Sequence, residues 1–478
     1  MIIDSRSHLP QLSDEAGVQR LPDIRPAARA GLGAVFLNTE ANQDNQDWVT
    51  RSLAAVWHPC TQMKHHERMP LVPIARGKGA WLYDPAGNRY LDSISSWWVN
   101  LFGHANDDIN RALKDQLDTL EHVMLAGCTH APAVELAERL SALTQRTLGH
   151  AFFASDGASA VEIALKMSFH FWRNGGCADK REFVCLANSY HGETIGALGV
   201  TDVAIFKDAY DLLIRNAHVV ASPAVAGVDA AVGAMRALFE QRASSLAAVI
   251  VEPLVQCAAG MAMYDASYLT RLRALCDEFD VHLIADEIAV GCGRTGTFFA
   301  CEQAGVWPDF LCLSKGISGG YLPLSIVLTR DEIYTAFYDD DVTRGFLHSH
   351  SYTGNPLACR AALATLDLFD SANVLAENTR KAALLREALQ PLTKHERVRN
   401  LREHGTIFAF DVDIDHQEAK RTFSRRFFAN ALQRELLMRP IGSTVYMMPP
   451  YVLRDDELLL LAQRTRDTLD ATFAERVE

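Results

Sequence analysis

Several signals that would place this chain in a special compartment or beside a special partner are missing. No apolar run is long enough to span a bilayer, and Arg25 and Arg29 break up the only apolar patch near the start. We therefore expect neither a membrane span nor a secretory signal. The ten cysteines contain no C-x-x-C pair, and neither Cys177 with Cys185 nor Cys292 with Cys301 has a histidine at zinc spacing. That argues against a disulfide scaffold and a zinc module, and fits small reduced thiols in a cytoplasmic protein. Basic residues form no run, and 46 Lys and Arg against 59 Asp and Glu leave a formal net charge of -13. Nucleic acid and anionic membranes are poor partners for such a surface.

What is present is apolar material for a sizeable core: 478 residues, 49% apolar and 22% charged, enough for two domains. Residues 281–323 organise the rest. Residues 281–285 read as a buried strand ending on Asp286 and Glu287, and residues 310–313 as another ending on Ser314, Lys315 and Gly316. Open α/β sheets bind ligands at the carboxyl ends of their strands, so an acid and a lysine reach one edge together. That pair suits pyridoxal phosphate, which is held as a Schiff base to a lysine while a carboxylate keeps its ring nitrogen protonated. Lys315 is the candidate for the first role and Asp286 for the second. Apolar surroundings would lower the pKa of Lys315 and keep its amine nucleophilic.

Gly291, Gly293 and Gly296 match G-x-G-x-x-G, the dinucleotide fingerprint. The gap after the strand, the poor helix opening at Thr297-Phe298-Phe299 and the missing acid about twenty residues on speak against that reading. We expect these glycines to let the backbone pass close to a bound ligand or a partner subunit.

Along the chain, residues 1–46 are polar and without period and read as an extension, with structure beginning near Trp48. Trp57 to Thr61 read as irregular around Pro59. Residues 80–93 form a hairpin pattern around Asp84-Pro85-Ala86-Gly87. Trp97 and Trp98 follow. In an extended segment neighbours point to opposite faces, so at least one should line a cleft or interface, unless both serve the core or a subunit contact.

Short apolar strands and helical patterns then alternate, which implies a mostly parallel sheet with helices on both sides. After a strand at 152–154, Ser155 to Ser159 open a helix whose N-terminus is a candidate phosphate site, with a plain Asp or Ser cap as the alternative. Tyr190, in the loop after a strand at 183–186, is placed to stack on a flat ring. His348-x-His350 lacks a third ligand, so a phosphate-contacting loop or a turn is preferred to a metal site. From Val398 a second compact unit begins, in which Arg439 beside Pro440 could clamp a carboxylate or serve as a surface ion-pair former.

Taken together, Trp57-His58-Pro59, Ser95-Ser96-Trp97-Trp98, Tyr190-His191-Gly192, Ala285-Asp286-Glu287-Ile288, Gly293-Arg294-Thr295-Gly296, Ser314-Lys315-Gly316, Gly354-Asn355-Pro356 and Met448-Pro449-Pro450-Tyr451 carry a resemblance. In type and order, over residues 51–455, they resemble the class III aminotransferases, which are pyridoxal-phosphate enzymes of fold type I.

The resemblance implies an α/β fold with a large cofactor domain at 95–370, its mostly parallel sheet flanked by helices. It also implies a smaller α+β domain from 47–94 and 371–478, and a homodimer with shared active sites. It gives Lys315 the covalent bond to the cofactor and the proton shuttle, Asp286 the ring nitrogen and Tyr190 the ring face. Asp156, Gly157 and Ala158 would lie at the phosphate. Ser351 would reach the phosphate from the other subunit, with Ser349 and His350 beside it. Trp97 and Trp98 would line the substrate channel, Tyr190 and Ser349 would border it, and Arg439 would bind the substrate carboxylate.

Within the family the tryptophan pair, Arg439 and the closing motif are most similar to one branch. Its members move an amino group from S-adenosylmethionine to 8-amino-7-oxononanoate in biotin synthesis, by a ping-pong mechanism. Lysine, an ω-amino acid or a diamine as donor is the alternative. Three positions depart from the pattern. Cys60 stands where tyrosine is common in the family, at a position associated with recognising both substrates, which bears on the donor contacts. Asp156-Gly157-Ala158 replaces Ser-Gly-Ser, and Ser349-His350-Ser351 replaces a frequent Gly-Pro-Thr.

Overall fold

A computed structural model describes residues 39–474 apart from Arg68 and Pro70, so most of the expected N-terminal extension lies outside the described residues. Order begins earlier than Trp48, because a helix spans Thr39–Ala55. Its residues include no proline or glycine, and its mostly polar sequence hides the apolar period by which a helix is recognised. Asn45 Nδ2 donates to Asp84 Oδ2 at 2.9 Å and ties the helix to the turn of the expected hairpin. That hairpin is formed by Trp81–Tyr83 and Arg89–Asp92, with Trp81 opposite Leu91.

Seven strands make the main sheet, in the order His150–Ala154, Ser325–Thr329, Phe310–Leu313, His282–Asp286, Leu246–Val251, Glu182–Leu186, His218–Val220. Only Ser325–Thr329 runs against its neighbours, so the sheet is mostly parallel. Its central strands are buried throughout because helices cover both faces. Val249 and Val251 pack with Met235, Phe239 and Leu272 on one side. Ala248 and Ile250 pack with Val161, Ile163 and Ala164 on the other, as the two-residue period of a strand requires.

The C-terminal unit is an antiparallel sheet of Val398–His404, Ile407–Val412 and Thr444–Met447, packed by helices Val374–Leu389, Gln417–Leu432 and Asp455–Ala474. Leu436–Leu437 pairs in parallel with Arg89–Asp92, so segments from both ends of the chain share one sheet. This pairing supports the proposal of one discontinuous small domain. Among the described residues no helix is long and apolar enough to cross a membrane, and no group of His, Cys, Asp or Glu could hold a metal ion. All ten cysteines are free, and seven of them are buried.

Candidate active site

Four adjacent parallel strands deliver the chemistry. Tyr190 and His191 follow Glu182–Leu186, Glu252 follows Leu246–Val251, Asp286 ends His282–Asp286, and Lys315 follows Phe310–Leu313. Asp286 pairs in register with Cys312, which brings the acid and the lysine loop to one edge. These residues, with Trp98 and the helix start at Gly157 and Ala158, line a cavity of about 260 Å³. A second void, of about 20 Å³ between Asn378, Thr406 and Tyr451, has room for one water and lies apart from this chemistry.

Lys315 sits at φ 48°, a left-handed conformation that a non-glycine residue holds only under constraint. Its Nζ lies 5.3 Å from the centre of the Trp98 ring. Burial pushes the amine below its ordinary pKa, against the opposing pull of Asp286, Cys257 and Glu252. Asp286 is buried with both oxygens engaged: Oδ2 lies 2.7 Å from His191 Nδ1, and Oδ1 accepts the Ile288 N–H at 3.1 Å. His191 Nε2 has no hydrogen-bond partner among the described residues.

Glu252 accepts the N–H of Tyr190 at 3.2 Å and that of Cys257 at 3.0 Å. Burial and then the charge of Asp286 raise it to about 7, against the pull of His191 and the two N–H groups. A carboxyl whose folded pKa exceeds its unfolded value near 4.5 destabilises the fold progressively as pH rises from about 4.5 to 7. Glu252→Gln should therefore flatten the fall in stability over that window by about 2–3 kcal/mol. Denaturant midpoints at pH 5 and pH 7.5 would check this. A variant whose midpoint falls as steeply as the wild type's would refute it.

The helix Gly157–Asn174 starts at the cavity wall. The Asp156 carboxylate caps it, accepting the N–H of Ser159 at 2.9 Å and its hydroxyl at 2.7 Å. Asp156 thus takes the capping role, and its charge is held on Ser159. The N–H groups of Gly157 and Ala158 have no acceptor within the helix, by its geometry. A Cβ on Gly192 would lie 2.5 Å from the Cβ of Ala158, and one on Gly157 would meet Ile288 at 3.0 Å. A cradle of backbone donors bordered by positions with no room for side chains fits a phosphate. With a depressed lysine and a buried acid alongside, the donor set fits pyridoxal phosphate.

The rim is built by distant segments. Arg439 Nη2 donates to the Cys60 carbonyl at 3.3 Å, and its guanidinium lies 5.9 Å from the Trp97 ring. Tyr190 Oη donates to Glu193 Oε1 at 2.9 Å. Burial raises the Cys60 thiol, while the charge of Arg439 opposes the rise and that of Glu193 adds to it. The tryptophans diverge, with Trp98 6% exposed and Trp97 47% exposed. They do so from a left-handed turn rather than an extended segment, and each non-glycine residue in that conformation costs about 1 kcal/mol.

Ser349, His350 and Ser351 do not line the cavity. They lie on a loop next to the phosphate cradle, where His350 Nε2 is 3.3 Å from Ser155 Oγ and both serines are exposed. His348 pairs with Lys166 at 2.8 Å.

No α-helix follows the glycine run, as expected if it is not a dinucleotide site, and two of its glycines pack closely within the chain. A Cβ on Gly291 would meet the Glu287 carbonyl at 2.9 Å, and one on Gly293 would meet Leu375, Phe369 and Tyr451. Directly after Gly293, fully buried Arg294 donates to the Pro449 carbonyl at 2.7 Å and the Asn100 carbonyl at 3.2 Å. Sequence reasoning assigned no role to Arg294, His191, Glu252 or Glu193. Glu252 closes its strand as Asp286 does, and that parallel was the available signal.

A sequence model described as aminotransferase class-III matches residues 62–469. The chain is 47% identical over 414 residues to the adenosylmethionine-8-amino-7-oxononanoate aminotransferase of Helicobacter pylori, covering 85% of this chain and 94% of that protein. Its fold is similar to the crystal structure of the enzyme of that name from Methanocaldococcus jannaschii, with a TM-score of 0.85 and 34% identity over 89% of this chain and 99% of that one. It is also similar to a pyridoxal-phosphate-bound amine transaminase from an uncultivated Pseudomonas species, with a TM-score of 0.81 and 31% identity over 88% of this chain and 98% of that one.

Proposed function

This chain belongs to the class III aminotransferases, and we infer that it moves an amino group from S-adenosylmethionine to 8-amino-7-oxononanoate, forming 7,8-diaminononanoate for biotin synthesis. The observation that carries the inference is one cavity lined by Lys315, the Asp286–His191 pair and Trp98, with Arg439 set over the ring of the neighbouring Trp97. It is joined to identities of 35–47% with relatives that bear that activity in their names.

Pyridoxal 5′-phosphate, when bound, supplies an electron-accepting ring that carries the amino group and stabilises charge at the carbon losing a proton. The chain's own groups do the rest. Gly157 and Ala158 would hold the phosphate through backbone N–H groups, and Tyr190 would cover the ring face. Asp286 would hold the ring nitrogen, with His191 orienting its carboxylate. Lys315, its amine depressed by burial, takes and returns the proton at Nζ. Trp98 closes the wall beside that amine and limits access of water.

At the rim Arg439 meets the carboxylate that both substrates possess, in alternation, as a ping-pong sequence requires. Glu193 offers the negative charge suited to a sulfonium. Cys60, with its thiol pKa raised, adds no charge between them. Arg439→Ala should raise the KM for 8-amino-7-oxononanoate about 10- to 100-fold and change kcat little, with Arg439→Lys between. An unchanged KM would remove Arg439 from the site.

We propose a cytoplasmic homodimer in which the exposed loop with Ser349, His350 and Ser351 reaches the partner's cofactor. The deciding test of the function is the absorbance of the cofactor-loaded protein on adding S-adenosylmethionine alone. Loss of the lysine-bound cofactor's yellow band is the expected result, with lysine in a parallel sample leaving it unchanged. The reverse pattern would move the function to another donor.

A further inference from the structure

Ser95, Ser96, Trp97 and Trp98 all lie in the left-handed region, with φ of 51°, 47°, 73° and 75°. None is glycine and two carry large rings, so the chain does not hold this turn unaided. The chief attachment is Asp92, whose side chain is fully buried. Its Oδ1 accepts the Ser96 N–H at 2.8 Å and its Oδ2 accepts the Ser96 hydroxyl at 2.7 Å. His104 Nε2 lies 2.9 Å from the same Oδ2, and its Nδ1 lies 3.1 Å from Asn100 Nδ2, so the ring is braced on both sides. Ser95 Oγ donates to the Met448 carbonyl at 2.8 Å.

The turn sends two adjacent side chains to different tasks. Trp98 goes inward, its Nε1 donating to Tyr446 Oη at 3.2 Å and its ring beside the Lys315 amine. Trp97 goes to the rim beside Arg439. We propose that Asp92, braced by His104, is a positioning residue for substrate: it holds the left-handed turn and so fixes the two tryptophan walls on either side of the channel mouth. The proposal rests on the reading of Trp97 and Trp98 as substrate walls. Without the carboxylate, the Ser96 N–H loses its acceptor and the turn relaxes toward negative φ. Trp97 is then drawn away from Arg439, while Lys315, Asp286 and the phosphate cradle, which stand on other elements, stay in place.

The test uses the cofactor-loaded full chain and two readouts, steady-state kinetics and near-ultraviolet circular dichroism of the tryptophans. Asp92→Ala should raise the KM of both substrates about tenfold, hold kcat within about threefold and flatten the tryptophan dichroism. Adding Ser96→Gly should bring KM and dichroism most of the way back, because glycine takes the left-handed conformation without cost. An unchanged KM in Asp92→Ala would overturn the proposal. So would a defect that Ser96→Gly leaves uncorrected, since Asp92 would then support the fold in general. Should Asp92→Ala fail to fold, Ser96→Ala removes only the hydroxyl bond. It should raise KM about threefold with kcat unchanged, and no rise would overturn the proposal. A wild-type protein that ignores S-adenosylmethionine would sink the functional reading instead, and the dichroism of the two variants would still report on the turn.

Discussion

Lys315→Ala should lower turnover by at least about 10⁴-fold while leaving the fold intact. The proposed function puts two roles on this one side chain, covalent attachment of the cofactor and proton transfer at the reacting carbon, and no other amine lines the cavity among the described residues. Its surroundings suit the second role. Burial favours the neutral amine, and Asp286, Cys257 and Glu252 limit how far the pKa falls, so the group can both take and release a proton. A variant loaded with cofactor and mixed with S-adenosylmethionine in a single turnover gives the measurement. The absorbance of the bound cofactor should change too slowly to support catalysis, and a small added amine such as methylamine should restore part of the rate. Residual turnover above about one per cent of wild type would show that Lys315 does not carry the proton.

Asp286→Asn should cost about 10²- to 10³-fold in kcat, the size found when one preorganised charge is withdrawn from a buried reacting centre. The amide keeps the shape, and its oxygen can still accept the Ile288 N–H, while its NH2 group faces His191 Nδ1 as a donor where the carboxylate offered an oxygen. The charge is lost and one acceptor becomes a donor toward His191, so the effect should fall on kcat with the fold and cofactor content preserved. Cofactor content follows from absorbance after denaturation in base, and kcat from the coupled assay. A loss below about fivefold, with cofactor fully bound, would mean that the ring nitrogen does not depend on this acid. His191→Asn, which keeps a hydrogen-bonding group but shifts its position, should fall between the wild type and Asp286→Asn.

The line from sequence to site was direct wherever chemistry sits at a strand end. Apolar runs 281–285 and 310–313 are strands buried on both faces, and strands of that kind end at a predictable edge. Asp286, Lys315 and Tyr190 were legible for that reason, and so was the helix start at Gly157. Glu252 is equally well placed at the end of Leu246–Val251, but its carboxyl becomes unusual only through enclosure and the nearness of Asp286. The helix Thr39–Ala55 stayed hidden because a helix with mostly polar faces writes no period into the sequence.

The sequence by itself determined the class of fold, the family and the groups at the carboxyl edge of the sheet, because strand periodicity and short motifs are local properties of the chain. Only the tertiary structure decided which segments share the rim, since Cys60, Tyr190 and Arg439 meet through packing between units that no spacing encodes. It also decided the hand of the Ser95–Trp98 turn. Residues that avoid left-handed backbone adopt it here because Asp92, the Met448 carbonyl and Arg294 bind its polar groups from three directions.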